Sequence, residues 1–247
     1  MPIASKTIRH ENGGVMFEAY VAWDDIDALP RPIILIAGTF MGRTGFEEER
    51  ARRLAALGYV GVAIDVYGVG HWPGDADQAR AAMDALNADR ALLRQRLLAA
   101  LDSARGLGPP ADPARVAAIG FCFGGKCVLD LARSGADLAG VVSFHGLYDA
   151  PPVASGSITA KILVLHGWED PLDPPETVLG LAKELTTAGA DWQVHAYGHT
   201  VHAFTNPARE GMYSPNADAR SWRSMQNFLE ELFGSSPNSR HRVISGQ

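Results

Sequence analysis

Six short apolar runs mark out the sequence: Arg31–Gly38 (RPIILIAG), Tyr59–Gly68 (YVGVAIDVYG), Arg115–Cys122 (RVAAIGFC), Ala139–Gly146 (AGVVSFHG), Lys161–Trp168 (KILVLHGW) and Trp192–Gly198 (WQVHAYG). Each is too short for a helix, rich in Val and Ile, and ends at or near glycine, which is the pattern of strands buried on both faces of a parallel sheet. Helical spacing fills the intervals at Phe46–Leu57, Asp75–Leu107, Gly124–Ser134, Pro175–Ala188 and Asp218–Phe233. The Asp75–Leu107 segment reads as one long helical stretch, either a lid or a cover for the sheet. Ahead of the first run, Thr7–Trp23 alternates around Asn12-Gly13-Gly14 and predicts a β-hairpin. Strands alternating with helices predict an α/β fold with a mostly parallel central sheet flanked by helices.

Composition limits the rest. With 247 residues, 47% of them hydrophobic, the chain can bury one large core, and no linker or repeat divides it. The expected organisation is a single domain over 1–233 and an irregular tail over 234–247. A formal charge of -6 without a basic cluster argues against nucleic-acid or anionic-membrane partners. No apolar stretch reaches the ~18 residues of a membrane helix, and the beginning, MPIASKTIRHENGG, does not read as an export signal. With Cys122 and Cys127 the only cysteines, the expected location is the reducing cytoplasm. No zinc-type Cys/His spacing is present, so neither a metal nor a cofactor is expected.

The chemistry concentrates at Ile119–Lys126, IGFCFGGK. A strand-like run leads into Cys122 and a helical pattern follows, the context of a nucleophile elbow in which cysteine replaces the usual serine. Gly120, Gly124 and Gly125 would let neighbouring backbone pass close to a strained central residue. A helix start also favours thiolate over thiol. The competing reading is a glycine-rich turn with a small buried cysteine.

Elbow hydrolases place an acid and then a histidine downstream of the nucleophile. Asp170 follows the Lys161 run in LHGWEDPLDP, and His202 follows the last run in GHTVHAF, so Cys122, Asp170 and His202 all fall at C-terminal strand ends in the required order. His202 would take the Cys122 proton, and Asp170 would hold the other ring nitrogen. Alternatives stand beside them. Asp170 and Asp173 could be turn or capping residues, His199 competes with His202, and Asp65 ends a strand ahead of the nucleophile and reads as structural. His199 and His202 lie i, i+3 without a carboxylate cluster to complete a metal site.

The elbow Gly120-Phe121-Cys122-Phe123-Gly124-Gly125, the HGWEDP segment and His202-Ala203-Phe204 resemble the dienelactone hydrolase family, over nearly the whole chain. The resemblance implies an α/β-hydrolase fold, a Cys122–His202–Asp170 triad, and an oxyanion hole made by the backbone N–H groups of Phe40 and Phe123. It also exposes departures. The family's bacterial dienelactone enzymes carry a glutamate where Thr39 stands, and two carboxylate-binding arginines where Val69 and Asn206 stand, Arg209 being out of register. Without those arginines, bidentate recognition of a substrate carboxylate is lost.

The expectation is therefore a metal-independent hydrolase of neutral, fairly apolar carboxylic esters, working through a thioester. Organophosphate triester hydrolysis by the same cysteine is one alternative, as in family members described as promiscuous phosphotriesterases. A non-catalytic binding protein is another, and a redox thiol protein using Cys122, alone or with Cys127, a third. Candidate pocket residues are Thr39, Phe40, Met41, Tyr67, Val69, His71, Trp72, Phe123, Phe144, His145, Tyr148, Trp168 and Asn206. The partner is a small ester or triester, and the chain is a monomer or homodimer.

Overall fold

A computed structural model describes residues 2–26, 29–152 and 157–234. The sequence alternation becomes eight strands and six helices in chain order: β1 (Ile3–Asn12), β2 (Val15–Asp24), β3 (Arg31–Ala37), α1 (Gly45–Ala56), β4 (Val60–Ala63), α2 (Ala76–Ala88), α3 (Arg90–Arg105), β5 (Ala111–Phe121), α4 (Phe123–Arg133), β6 (Gly140–Phe144), β7 (Lys161–Gly167), α5 (Pro175–Thr187), β8 (Trp192–Tyr197) and α6 (Pro215–Phe233). The tail expected to be irregular lies outside the described residues after Gly234.

The strands form one sheet in the order β1-β2-β4-β3-β5-β6-β7-β8. β1 pairs antiparallel with β2, and β2 antiparallel with β4. From β4 to β8 every pairing is parallel. The chain enters the parallel part at β3, steps one way to β4, then returns to β5 on the other side of β3. That reversal is a topological switch point, the place where open α/β sheets leave a crevice beyond their strand ends. The loops after β3 and β5 flank it.

Successive strand residues point to opposite faces, and each face is covered. Ile33, Leu35, Val62, Val116, Ala118, Val141 and Val164 pack under α3, α4 and α5 with Leu93, Leu97, Leu101, Val128 and Leu181. Ile34, Ile36, Ala63, Ala117, Ile119, Val142 and Leu163 pack under α1 and α6 with Leu54, Trp222, Met225 and Leu229. Burying each Leu or Ile contributes roughly 1.5–3 kcal/mol.

The segment expected to be one long helical stretch is two helices. Asp89, at φ -121° and ψ 75°, closes α2, and its side chain caps α3 by accepting from the Leu92 N–H. The break lets α3 follow the sheet with Leu93, Leu97 and Leu101 inward, so α3 is a cover rather than a lid. The run at Tyr59–Gly68 is also shorter as a strand than its apolarity suggests. After Ala63 the chain turns around Asp65, whose carboxylate accepts from Tyr67 N (2.8 Å), Gly68 N (3.0 Å) and Trp72 Nε1 (2.9 Å). The carboxylate is satisfied within this turn, as its structural reading requires.

Candidate active site

Cys122 follows directly on β5 and caps α4 with φ 56° and ψ -118°. A non-glycine residue held there costs about 1–3 kcal/mol, so the surroundings must enforce it. Backbone contact does so. A Cβ on Gly120 would stand 2.0 Å from Gly124 O, and one on Gly124 would stand 2.1 Å from Ala37 O. Cys122 N donates to Phe144 O at 3.0 Å, and Gly125 N to Cys122 O at 2.9 Å. The thiol remains partly exposed, whereas Cys127 is buried in the core and its thiol is pushed up, first by burial. Both cysteines are free.

Asp170 and His202 arrive from the loops after β7 and β8. His202 Nδ1 donates to Asp170 Oδ2 at 2.7 Å, both side chains being buried. The second carboxylate oxygen accepts from Leu172 N at 2.9 Å, so Asp170 serves the turn and the histidine together. Burial alone would pull the imidazole down. The bonds to Asp170 and Cys122, with the charges of both, outweigh it and push His202 up to about 10. Its Nε2 is buried and makes no well-aligned hydrogen bond. Long or poorly aligned bonds of this kind are ordinary in unliganded sites and tighten with substrate.

The competing residues are placed elsewhere. His199 is almost wholly exposed and pairs with Glu169 at 3.0 Å. Asp173 accepts from Tyr148 N at 3.1 Å and is pushed up to about 6, mainly by burial. Among the described residues, no group of three or more His, Cys, Asp or Glu side chains is arranged to hold a metal.

The Phe40 and Phe123 backbone donors occupy the two sides of the switch point. Within the turn after β3, Thr39 N donates to Glu47 Oε1 (3.2 Å), Met41 N to Thr39 Oγ1 (3.3 Å) and Gly42 N to Thr39 O (2.9 Å). Among the described residues, Phe40 N alone of these consecutive groups has no hydrogen-bond acceptor. Phe123 N opens α4 and likewise has no acceptor among the described residues.

The pocket candidates separate by depth. Thr39, Met41, Val69 and Asn206 are half-buried, while His71, Trp72 and Trp168 are exposed. Tyr67 is buried, with its hydroxyl donating to Phe40 O at 2.7 Å. Phe123 belongs to the core beneath α4, and Phe144 stacks on Phe121 at 4.6 Å in the opposite core. Tyr148 is buried with its hydroxyl on His166 Nδ1 at 3.1 Å. His145 lies behind His202, edge-on at 5.1 Å, with Nε2 on Thr205 Oγ1 at 2.8 Å. Burial, then the His202 charge, holds it well below the usual imidazole range, so a neutral ring faces the His202 cation. Two concavities are lined by neither Cys122 nor His202, about 270 Å³ between α3 and α4 and about 520 Å³ beside Tyr148 and Asp173.

Arg50, unremarked in the sequence, lies in the core behind these residues. It is buried among Phe46, Phe121 and Trp222 and donates to Thr205 O at 2.7 Å. Arg50, Thr205 and His145 thus connect α1 to the ring of His202. Nothing in the sequence singled this arginine out, because its hydrogen-bond acceptor Thr205 is 155 residues away.

An eight-stranded, mostly parallel sheet with a positive-φ cysteine at the strand-to-helix turn and a buried Asp–His pair at neighbouring strand ends defines an α/β-hydrolase. The profile of the dienelactone hydrolase family matches residues 17–233, and the chain belongs to that family and is a hydrolase. Two solved structures are similar over 94% of this chain and 99% of theirs. One, named m3DLH, is 40% identical with a TM-score of 0.87. The other, a dienelactone hydrolase-like promiscuous phosphotriesterase, P91, from metagenomic libraries, is 37% identical with a TM-score of 0.88. A Yersinia pestis protein provisionally named carboxymethylenebutenolidase is 25% identical over 228 residues, covering 86% of this chain and 83% of its own.

Proposed function

We propose that the chain hydrolyses neutral, fairly apolar carboxylic esters through Cys122, His202 and Asp170, with a covalent thioester intermediate and no metal. The observation that carries this reading is the buried 2.7 Å bond from His202 to Asp170, in a ring that Asp170 and Cys122 together push up to about 10. At neutral pH such a ring is an imidazolium beside the elbow cysteine, the arrangement of an activated thiol nucleophile.

In the first step the thiolate sulfur bonds to the ester carbonyl carbon, and the carbonyl π pair moves onto oxygen, against the Phe40 and Phe123 N–H groups. Collapse expels the alkoxide, which takes the His202 proton and leaves as alcohol. Neutral His202 then removes a proton from water, hydroxide adds to the thioester, and the second collapse returns the thiolate and releases the acid. Asp170 keeps Nδ1 protonated throughout, so that Nε2 faces the reacting atoms.

The preference for neutral substrates follows from the rim. Val69 and Asn206 offer no cation. Arg43 is already committed to Glu48 (2.6 Å) and Glu18 (3.3 Å) and stacks on Trp72 at 5.3 Å. A substrate carboxylate would be desolvated without a partner, which is costly.

p-Nitrophenyl acetate turnover, with Cys122→Ala and His202→Ala beside the wild type, tests the mechanism. An inactive wild type, or an active Cys122→Ala, would refute it. Dienelactone hydrolysed as fast as the neutral ester would refute the charge argument. The likeness to the phosphotriesterase P91 favours a second reading, turnover of neutral phosphotriesters by the same cysteine. Paraoxon hydrolysis that disappears in Cys122→Ala would support it, and loss on adding a chelator would oppose it.

A further inference from the structure

The Glu47 carboxylate is fully buried, on the first turn of α1. Thr44-Gly45-Phe46-Glu47 forms a capping box: Glu47 Oε2 accepts from Thr44 N (2.8 Å) and Thr44 Oγ1 (2.6 Å), and Thr44 Oγ1 accepts from Phe46 N (3.2 Å). Two features exceed a cap. The group is wholly removed from solvent, where a capping carboxylate alone gains nothing from being buried. Its other oxygen, Oε1, leaves the helix and accepts from Thr39 N at 3.2 Å, in the turn beyond β3. The approach is tight, since a Cβ on Gly38 would stand 3.1 Å from Glu47 Cδ and 2.4 Å from Gly42 O.

That turn contains the free Phe40 N–H. Its neighbours on both sides are fixed: Thr39 N by Glu47, Met41 N and Gly42 N by Thr39 itself, and Phe40 O by the Tyr67 hydroxyl. Without Glu47, Thr39 N would be a second free donor, and the turn would be held by Thr39 and Tyr67 only.

We propose that Glu47 is a positioning residue for the oxyanion pocket: one carboxylate, bridging the first turn of α1 to Thr39 N, fixes the turn that presents the Phe40 N–H to the developing oxyanion. This rests on the ester-hydrolase reading of Cys122. It assigns to an α1 side chain the task of keeping an oxyanion donor in place before substrate arrives, as electrostatic preorganisation requires.

The test separates reactions that form an oxyanion at Cys122 from one that does not. Addition of the thiol to an aliphatic aldehyde such as butyraldehyde makes a carbon–sulfur bond and places the electron pair on the carbonyl oxygen. Alkylation by iodoacetamide makes a carbon–sulfur bond with loss of iodide and leaves no oxyanion. In Glu47→Gln one of the two N–H partners faces an amide N–H instead of an oxygen, and Glu47→Ala removes both bonds. Both variants should lower kcat for p-nitrophenyl acetate about 10–100-fold, with KM within threefold, and weaken aldehyde binding by at least tenfold. The iodoacetamide rate should stay within twofold. Thr44→Ala, which removes half of the cap but leaves the Thr39 bond, should lower the melting temperature and keep kcat within twofold. If Glu47→Gln retains wild-type kcat and aldehyde affinity, or loses alkylation as strongly as turnover, Glu47 is a cap only and the inference fails. A wild type that neither hydrolyses the ester nor binds the aldehyde would instead overturn the ester-hydrolase reading beneath it.

Discussion

Asp170→Asn isolates the element on which the proposed mechanism depends most. The carboxylate uses its oxygens differently: Oδ1 accepts from Leu172 N at 2.9 Å, and Oδ2 accepts from His202 Nδ1 at 2.7 Å. An asparagine has one oxygen, and the Leu172 N–H is a fixed backbone donor that requires it. The amide NH₂ is then turned toward His202 and donates to Nδ1. The imidazole must accept there, which puts its proton on Nε2, facing Cys122 as a donor and no longer able to act as a base. The variant also loses the negative charge that helps push the ring up to about 10, while burial still pulls it down. The same change of tautomer in a serine protease triad lowers kcat about 10⁴-fold, or about 5.5 kcal/mol. The expected result here is a kcat loss of about 10³–10⁴-fold at pH 7 with the fold intact, since the replacement is isosteric. The measurements are p-nitrophenyl acetate kinetics from pH 5 to 10 and circular dichroism. A folded Asp170→Asn within tenfold of wild-type kcat would refute this account of the pair.

Three further outcomes follow from the same geometry. His202 is raised above its ordinary value by its partners, so its contribution to stability is complete below about pH 6.5 and fades as pH rises through about 10. The urea midpoint of the wild type should exceed that of His202→Gln at pH 6, and the gap should narrow by pH 10; a gap that widens would reverse the assignment. Arg50→Met removes the donor to Thr205 O and leaves that buried carbonyl unsatisfied, for about 1–3 kcal/mol. Urea unfolding measures the loss, and kcat should fall with it, because Thr205 supports His145 against His202. Gly120→Ala places a Cβ 2.0 Å from a backbone oxygen that cannot move without unmaking the elbow. It should cost well over ~3 kcal/mol, seen as loss of soluble protein or a collapsed melting temperature.

The strands and helices were legible because a parallel sheet covered on both faces writes itself as short apolar runs, with amphipathic helices between them. The α2–α3 break was not. Asp89 sits inside a continuous helical pattern, and the cap it provides to Leu92 N becomes a boundary only when α3 must follow the sheet. The aromatics near strand ends were equally ambiguous. Phe144 and Trp168 both end runs, yet Phe144 is sealed against Phe121 and Trp168 is exposed. Which face a side chain takes at a strand end depends on the register of the next strand and on the loop beyond it, and a single sequence holds neither.

The sequence by itself determined the layers of the fold and the chain order of the candidate groups, because both follow from local pattern: apolar periodicity sets the layers, and the elbow glycines fix one cysteine at a strand end. Only the tertiary structure decided what surrounds those groups. It buries His202 beside Asp170 and leaves His199 in solvent. It brought Arg50 to Thr205, across a separation of 155 residues that no local pattern encodes. The physical reason is that electrostatic environment depends on distance and burial, and these are set by packing between segments remote in the chain.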